Sequence, residues 1–559
     1  MIALNGIGVS RGIVSGKVFV KTKTNREIAR KEIQSLELEI HRVENAKQQA
    51  INELQGLYEH ALQMIGESEA QIFEVHQMML EDEDFLTRIT EIIREERVNA
   101  EYAVERTKEE FAAIFTSMDD AYMQERAADI IDISNRLIDN LIEHHEQAEI
   151  DLQEPAILVA ADLLPSDTVQ IDRTKILGII TQQGGQTSHS SILARTMGIP
   201  AVVGVQNLLS VLNHGDEVMV DGESGEIVIS PDPATKREWE QRKRDHERRI
   251  KDLQRVKGTA SITKDGRKVK VAGNIGTPQD LAAVIENDGE GIGLFRSEFL
   301  YMNSDLLPSE EVQLAAYKEV LEGMKDNLVI IRTLDVGGDK EISYLEIPKE
   351  DNPFLGYRAI RVCLEEPTIF KTQLRALFRA SIYGNLGIMF PMISTVEELQ
   401  MAKALVEEVK ADLVHEDIPF SPDVQIGMMI ETPAAALISD QLAKEVDFFS
   451  IGTNDLTQYT IAVDRMNAKV AHLYDAHHLA VLRLIQLTIE NGHREGIWVG
   501  ICGEAAADLT LTETFVALGV DELSVSAPSI LEVKAKIQET DAQEAKMGIL
   551  PNGFLSKGG

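Results

Sequence analysis

The spacing of apolar positions changes several times along the 559 residues, and each change predicts a different kind of element. Residues 1–20 hold GIGVSRGIVSGKVFV, in which glycines punctuate β-branched residues, a pattern of short strands and turns. Residues 26–145 contain almost no Gly and no Pro. Within them Ile33, Leu36, Ile40, Val43, Ala50, Leu54, Leu57, Ala61 and Met64 recur at three and four residues, interrupted only at Lys47. That is the seam of a long packed helix, and further helical segments predict a bundle of about four. Residues 155–230 return to short apolar runs, AILVA, ILGII, PAVVG, EVMV and EIVIS, separated by Gly, Asp and Pro. They predict a compact α/β unit with which the first strands pair. One domain then comprises 1–24 and 146–230, with the helical segment 25–145 inserted in it.

Residues 231–257 are highly charged and read as a solvated connecting helix. From 258 to about 545, eight strand-like runs alternate with helical patterns: KVKVAGNIG, GIGLFRSEFL, LVIIRTLDVG, GIMFPMIS, QIGMMIETP, FFSIGTNDL, WVGICGE and ELSVS. Eight buried strands with helices between them over roughly 280 residues predict a (β/α)8 barrel. Residues 546–559 form a tail. The fold class is therefore multidomain α/β, an α/β domain with an inserted α-helical bundle followed by a TIM-type barrel.

Charge narrows the choice of partners. There are 55 Lys and Arg against 92 Asp and Glu, a formal net charge of −37. That disfavours nucleic acid and anionic lipid, which need cationic surface, and leaves a basic protein partner open. The two cysteines, Cys363 and Cys502, argue against a disulfide framework and fit a reducing compartment. No apolar stretch approaches the roughly 20 residues of a membrane span, and no signal peptide is evident, so a cytoplasmic location is expected.

Barrel chemistry sits at the C-terminal ends of the strands. Arg296 and Glu298 end the second run, Arg332 and Asp335 the third, Glu431 the fifth, Asn454 and Asp455 the sixth, and Cys502 and Glu504 the seventh. Arg358 and Arg465 lie in the loops after the third and sixth. Any one of these alone reads as a solvated loop charge or a structural ion pair. Their convergence on one rim is less easily accidental. Several arginines suit an anionic substrate, because guanidinium forks bind carboxylate or phosphate. Glu431 and Asp455 offer hard oxygen donors of the kind Mg²⁺ uses when substrate and water complete its shell. Cys502 is either a small buried hydrophobe or a neutral proton donor beside a bound anion.

Residues 184–195 read GGQTSHSSILAR. Thr187 and Ser188 offer N-cap hydroxyls, and a helix is expected to begin near His189, beside unpaired backbone N–H groups that hold phosphate well. On spacing alone, a capping or surface histidine accounts for His189 equally well.

Together GGQTSHSSILAR, GIGLFRSEFLYM, IRTLDVGGDK, NPFLGYRAIR, IETPAA, FFSIGTNDLTQYTIAVDR and GICGE closely resemble the Enzyme I family of the bacterial phosphoenolpyruvate-dependent sugar phosphotransferase system. The resemblance covers nearly the whole chain. It implies that His189 is the phosphorylated histidine and that the α/β domain around it swivels. It also implies that Arg296, Arg332, Arg358 and Arg465, with Asn454 and Asp455, hold phosphoenolpyruvate. By the same resemblance Glu431 and Asp455 bind Mg²⁺, Cys502 protonates the enolate, and the chain is a homodimer through the barrel. The helical insertion would dock HPr, the small histidine-containing phosphocarrier, through Glu67, Phe73, His76, Met78, Met79, Glu83, Asp84 and Arg126. Residues 21–150 hold 14 Lys and Arg against 30 Asp and Glu, an acidic rim suited to a basic partner. Gln186 and Ile131 stand where the family often has Arg. His189 and the barrel belong to different domains, so hinges are expected at the ends of the connecting helix. A dikinase or synthase of the same superfamily needs a further nucleotide-binding domain, for which the chain has no room.

Overall fold

The computed structural model describes the chain apart from residues 22–27, 65–66, 117–120, 143–153, 169–173, 186–187, 303–305, 339–341, 343, 346–347, 349, 468 and 549–559. The side chains of 63, 64, 67–69, 121–125, 168, 189 and 196 also lie outside the described part. The chain divides into two compact units, Met1–Arg249 and Ile250–Gly559.

The first unit is built on eight strands: β1 (Ile2–Asn5), β2 (Ile7–Ser10), β3 (Ile13–Val20), β4 (Ala156–Ala160), β5 (Ile176–Thr181), β6 (Ala201–Val203), β7 (Glu217–Asp221) and β8 (Glu226–Ile229). They form one sheet in the order β1-β8-β7-β3-β4-β5-β6-β2. β3 and β4 are parallel neighbours, with Val18 opposite Ile157. Between these two in sequence lie α1 (Leu36–Met64), α2 (Glu67–Leu80), α3 (Glu83–Glu96), α4 (Ala100–Thr116) and α5 (Ala121–Ile142). The bundle is thus an insertion between adjacent strands, with five helices among the described residues where the apolar pattern predicts about four. The 3,4 seam does what its spacing requires: Val43, Ala50, Leu54 and Ala61 are buried in one cluster with Phe85, Ile89 and Ile93. Lys47, which interrupts the seam, keeps its ammonium 2.6 Å from Glu44. A short helix, α6 (Pro165–Thr168), ties bundle to sheet, as the Ser166 hydroxyl donates to Asp132 of α5 at 2.7 Å.

The sheet also carries α7 (His189–Met197) and α8 (Leu208–Val211), and after β8 the charged segment forms α9 (Pro233–Val256). The first half of α9 is not a free linker. Trp239 is buried against Met219 and Val228, and Arg242 lies 4.7 Å over its ring while pairing with Asp221 at 2.5 Å and Glu226 at 3.0 Å. A side chain three residues on along a helix meets its neighbour, so the Trp-x-x-Arg spacing clasps this end to the sheet.

The second unit is a closed barrel of eight parallel strands: β9 (Lys270–Ile275), β10 (Ile292–Arg296), β11 (Leu328–Arg332), β12 (Asn385–Phe390), β13 (Gln425–Ile430), β14 (Phe448–Ile451), β15 (Trp498–Ile501) and β16 (Glu522–Ser526). All eight runs read from the sequence are strands. Leu294, Ile330, Met389, Met429, Phe448 and Cys502 pack together in one buried cluster of the barrel. No helix among the described residues is long and apolar enough to cross a membrane.

At the opposite end of the barrel Glu522 is 4 % exposed. Burial, opposed by Lys270 and reinforced by Glu290 and Asp521, pushes its carboxyl up to about 7. The folded pKa then exceeds the unfolded one, so Glu522 carries no penalty at pH 4; the penalty grows as pH rises from the ordinary carboxyl range near 4.5 and is complete once pH passes about 7. The full difference amounts to about 3 kcal/mol. Glu522→Gln is expected to raise Tm at pH 8.5 and to leave it nearly unchanged at pH 4.5. An equal effect at both pH values would contradict the buried-charge account.

Candidate active site

The sequence places Arg332 at the end of β11, where the strand enters the mouth, and Asp335 three residues later. The Arg332 guanidinium is buried, with Nη2 2.8 Å from Glu298 Oε1 and Nη1 2.9 Å from Asp335 Oδ2. Arg358 is buried as well. Its Nη2 lies 2.9 Å from Asp335 Oδ1 and 3.2 Å from Asp455 Oδ2. Asp335 therefore bridges two arginines, one oxygen to each. Asp455, in the first turn of the helix Thr453–Ile461, joins Arg358 to Arg465, whose Nη1 is 2.7 Å away. Burial works against the charge on Arg332 but is outweighed by Glu298, Asp335 and Glu431, which raise its pKa. Arg358 is raised in the same way, chiefly by Asp335 and Asp455 over the opposing effect of burial.

The Nε atoms of both Arg332 and Arg358 are buried with no hydrogen-bond partner among the described residues. An unpartnered buried guanidinium N–H is costly, and an anionic ligand at the mouth would satisfy it. Arg296, exposed at the end of β10, has no ion-pair partner among the described residues. Desolvation, then the neighbouring Arg332 charge, lowers its pKa. Arg332, Arg358 and Arg465 are already paired with carboxylates, so the capacity of the mouth for an anion lies in Arg296 and in the two unpartnered Nε atoms.

Glu431 follows β13 and is 2 % exposed, with Oε1 accepting the Met392 N–H at 2.6 Å. Burial raises its pKa, as do Asp455 and Asp335, while Arg332 and Arg358 oppose the shift. Glu431 thus faces two carboxylates and two arginines, with burial tipping the balance against its charge. With Asp455 it supplies two hard oxygen donors, which suits Mg²⁺ in chemistry. Among the described residues no three His, Cys, Asp or Glu gather as a complete protein cage.

Asn454 bonds Glu504 twice, Nδ2 to Oε1 at 3.0 Å and Oδ1 from the backbone N–H at 2.9 Å, joining the loops after β14 and β15. Between these loops Gly503 is forced by close approach: a Cβ there would lie 2.0 Å from Thr453 Oγ1. Cys502, beside it, is buried, and its thiol donates weakly to the Ile451 carbonyl at 3.7 Å. Burial is the main force on this thiol and pushes it up to about 11, so it is neutral near pH 7. Cys363 is a buried residue of the barrel core.

In the first unit α7 begins at His189, with Ser188 as its N-cap residue. The Ser188 hydroxyl does not cap the helix. It donates to the Gly185 carbonyl at 2.9 Å, and Ser191 Oγ donates to the same carbonyl at 2.6 Å. Among the described residues no side chain accepts from the first backbone N–H groups of α7, the kind of helix start that suits an anion. The His189 side chain, Gln186 and Thr187 lie outside the described residues.

The expected docking residues separate into two groups. Met78 is 70 % exposed, Met79 is half-buried, and Glu83 and Asp84 are exposed. Phe73 and His76, however, belong to the interior: both are buried, and His76 Nε2 lies 3.2 Å from Asp129 Oδ1. They sit on the same helical stripe as Ala70 and Leu80, both fully buried, and so underlie the surface rather than form it. Arg126 pairs with Asp129 at 3.0 Å, and Ile131 is half-buried on the same helix. The Glu67 side chain lies outside the described residues.

Three mouth-related residues carry no role in the sequence reading. Glu298 and Asp335 each read alone as a solvated loop charge or a structural ion pair, and the structure makes both of them ion-pair partners of Arg332. Tyr459 lies four residues after Asp455, hence on the same helical face.

Three domain profiles match the chain in order: PEP-utilising enzyme, N-terminal, over 5–126; PEP-utilising enzyme, mobile domain, over 152–225; and PEP-utilising enzyme, PEP-binding domain, over 250–542. The chain is 47 % identical over 546 residues to the phosphoenolpyruvate-protein phosphotransferase of Bacillus subtilis (strain 168), covering 98 % of this chain and 96 % of the relative. It is 46 % identical to that of Geobacillus stearothermophilus, over 97 % and 94 % of the two chains. For the protein of that name from Enterococcus faecalis (strain ATCC 700802 / V583) the identity is 44 %, over 99 % and 96 %. Identity of this extent, together with the three profiles in sequence, means that the chain belongs to the phosphoenolpyruvate-protein phosphotransferase family of PEP-utilising enzymes.

Proposed function

We propose that the chain transfers the phosphoryl group of phosphoenolpyruvate to its own His189, and from there to a histidine of HPr, releasing pyruvate as the first step of sugar uptake. The observation that carries this reading is the pair of buried guanidinium groups, Arg332 and Arg358, each with an unpartnered Nε at the barrel mouth. Residues 1–24 with 146–230 act as the phosphohistidine domain, 25–145 as the HPr-binding domain and 258–545 as the phosphoenolpyruvate-binding barrel. Arg296, Arg332, Arg358 and Arg465 hold the substrate's carboxylate and phosphate, and Asn454 braces the loop beside them. Glu431 and Asp455 would hold Mg²⁺, which when bound neutralises charge on phosphoryl and enolate oxygens.

Neutral His189 attacks phosphorus in line, and the arginines take up charge as the phosphoryl group passes. The thiol of Cys502 then gives its proton to the enolate methylene carbon. His189 has to meet both the barrel mouth and HPr, so its domain swivels. The clasp of Trp239 and Arg242 makes the first half of α9 move with that domain, which leaves the turning point to the later part of the segment. The chain works in the cytoplasm as a homodimer through its barrel.

The reading is tested by adding phosphoenolpyruvate, Mg²⁺ and HPr to the full chain and following pyruvate. Pyruvate released in proportion to HPr, without ATP, is expected. No release, or a requirement for ATP, would overturn it.

The acidic residues Glu81 to Asp84 beside exposed Met78 also make a kinetic prediction. HPr association is expected to slow by roughly tenfold or more between low salt and 0.5 M, because the rim steers a basic partner. Stopped-flow measurement of an on-rate indifferent to salt would remove the steering role.

A further inference from the structure

Arg358 is pulled from one side by two carboxylates, both on Nη2. Its Nη1 has one partner among the described residues, the hydroxyl of Tyr459 at 3.3 Å. That hydroxyl in turn donates to the Phe354 carbonyl and lies 3.9 Å from Met392 Sδ. Each of these neighbours is itself part of the wall around the mouth. The Phe354 ring packs 5.5 Å from the Arg358 guanidinium. Met392 gives its N–H to Glu431 from a backbone with φ +58°, and Ala359, directly after Arg358, has φ +54°. Residues with a Cβ seldom adopt such conformations, and they persist where the surroundings over-determine them. The backbone beside both Arg358 and Glu431 is therefore held out of its relaxed state, and the Tyr459 hydroxyl touches both sides.

We propose that Tyr459 is a positioning residue that fixes the Arg358 guanidinium against the pull of Asp335 and Asp455, relative to the Met392–Glu431 turn, and so sets the affinity for the anionic substrate. Without the hydroxyl, Nη1 is free to follow Nη2 toward the carboxylates, and the unpartnered Nε turns with it. The inference rests on the phosphoenolpyruvate reading. It concerns binding more than chemistry, because Tyr459 touches an arginine rather than the reacting atoms.

Tyr459→Phe keeps the ring and removes only the oxygen. In the full chain with Mg²⁺ and HPr, KM for phosphoenolpyruvate is expected to rise by roughly tenfold, as for loss of a hydrogen bond to a charged group, with kcat within about twofold and Tm little changed. Equilibrium binding of phosphoenolpyruvate to full chains carrying His189→Ala, with and without Tyr459→Phe, gives the same comparison without turnover and should show the same loss of affinity. An unchanged KM and Kd would overturn the proposal. So would a fall in kcat with a lowered Tm and unaltered KM, which marks a merely structural tyrosine. A wild-type chain that neither binds nor consumes phosphoenolpyruvate would instead overturn the functional reading itself.

Discussion

His189→Ala is expected to reduce phosphoryl uptake from phosphoenolpyruvate to background, a loss on the order of a thousandfold or more, as when a nucleophile is removed. The hydroxyls of Ser188 and Ser191 are already engaged. Ser188 and Ser191 both bond the Gly185 carbonyl, and Ser188 lies 3.1 Å from Ser190. The loss should leave the barrel intact, because His189 lies in the other unit. Phosphoenolpyruvate affinity is accordingly expected to stay within about twofold of wild type. A variant that still takes up acid-labile phosphate would show that another group is the acceptor.

Cys502→Ala is expected to lower pyruvate formation by roughly 10²–10⁴-fold, the range for a lost general acid. Phosphoryl arrival at His189, followed in a single turnover, should fall much less, because the thiol acts on the enolate after the P–O bond has broken. The substitution is small and the site is lined by Met389, Met429 and Leu294, so the fold should tolerate it. Unchanged pyruvate formation would return Cys502 to the role of a packing residue. An equal fall in both steps would mean that it acts on binding or phosphoryl transfer instead.

The barrel was legible because its strands are buried on both faces and read as continuous apolar runs, each ending where charge begins. The insertion was legible because a helical period interrupts two stretches of strand-like runs. Less visible was what each polar group touches. Asp335 alone reads as a solvated loop charge or a structural ion pair; it is the latter, 2 % exposed and divided between two arginines that sequence places 26 residues apart. Phe73 and His76 lie among acidic residues in sequence, but the helix turns them inward with Ala70 and Leu80. Ser188 occupies the N-cap position without capping, because a carbonyl of the preceding glycine turn accepts its proton. The charged composition of α9 hid the single Trp239 that anchors it. In each case the outcome depends on a partner distant in sequence or on a side-chain rotation that local spacing does not encode.

Mapping the phosphate tests the central claim most directly. The full chain is incubated with ³²P-labelled phosphoenolpyruvate and Mg²⁺, digested under alkaline conditions and sequenced by mass spectrometry. An acid-labile phosphoramidate on His189, removed on addition of HPr, is predicted. Label on another residue, or none while phosphoenolpyruvate is bound, would contradict the account.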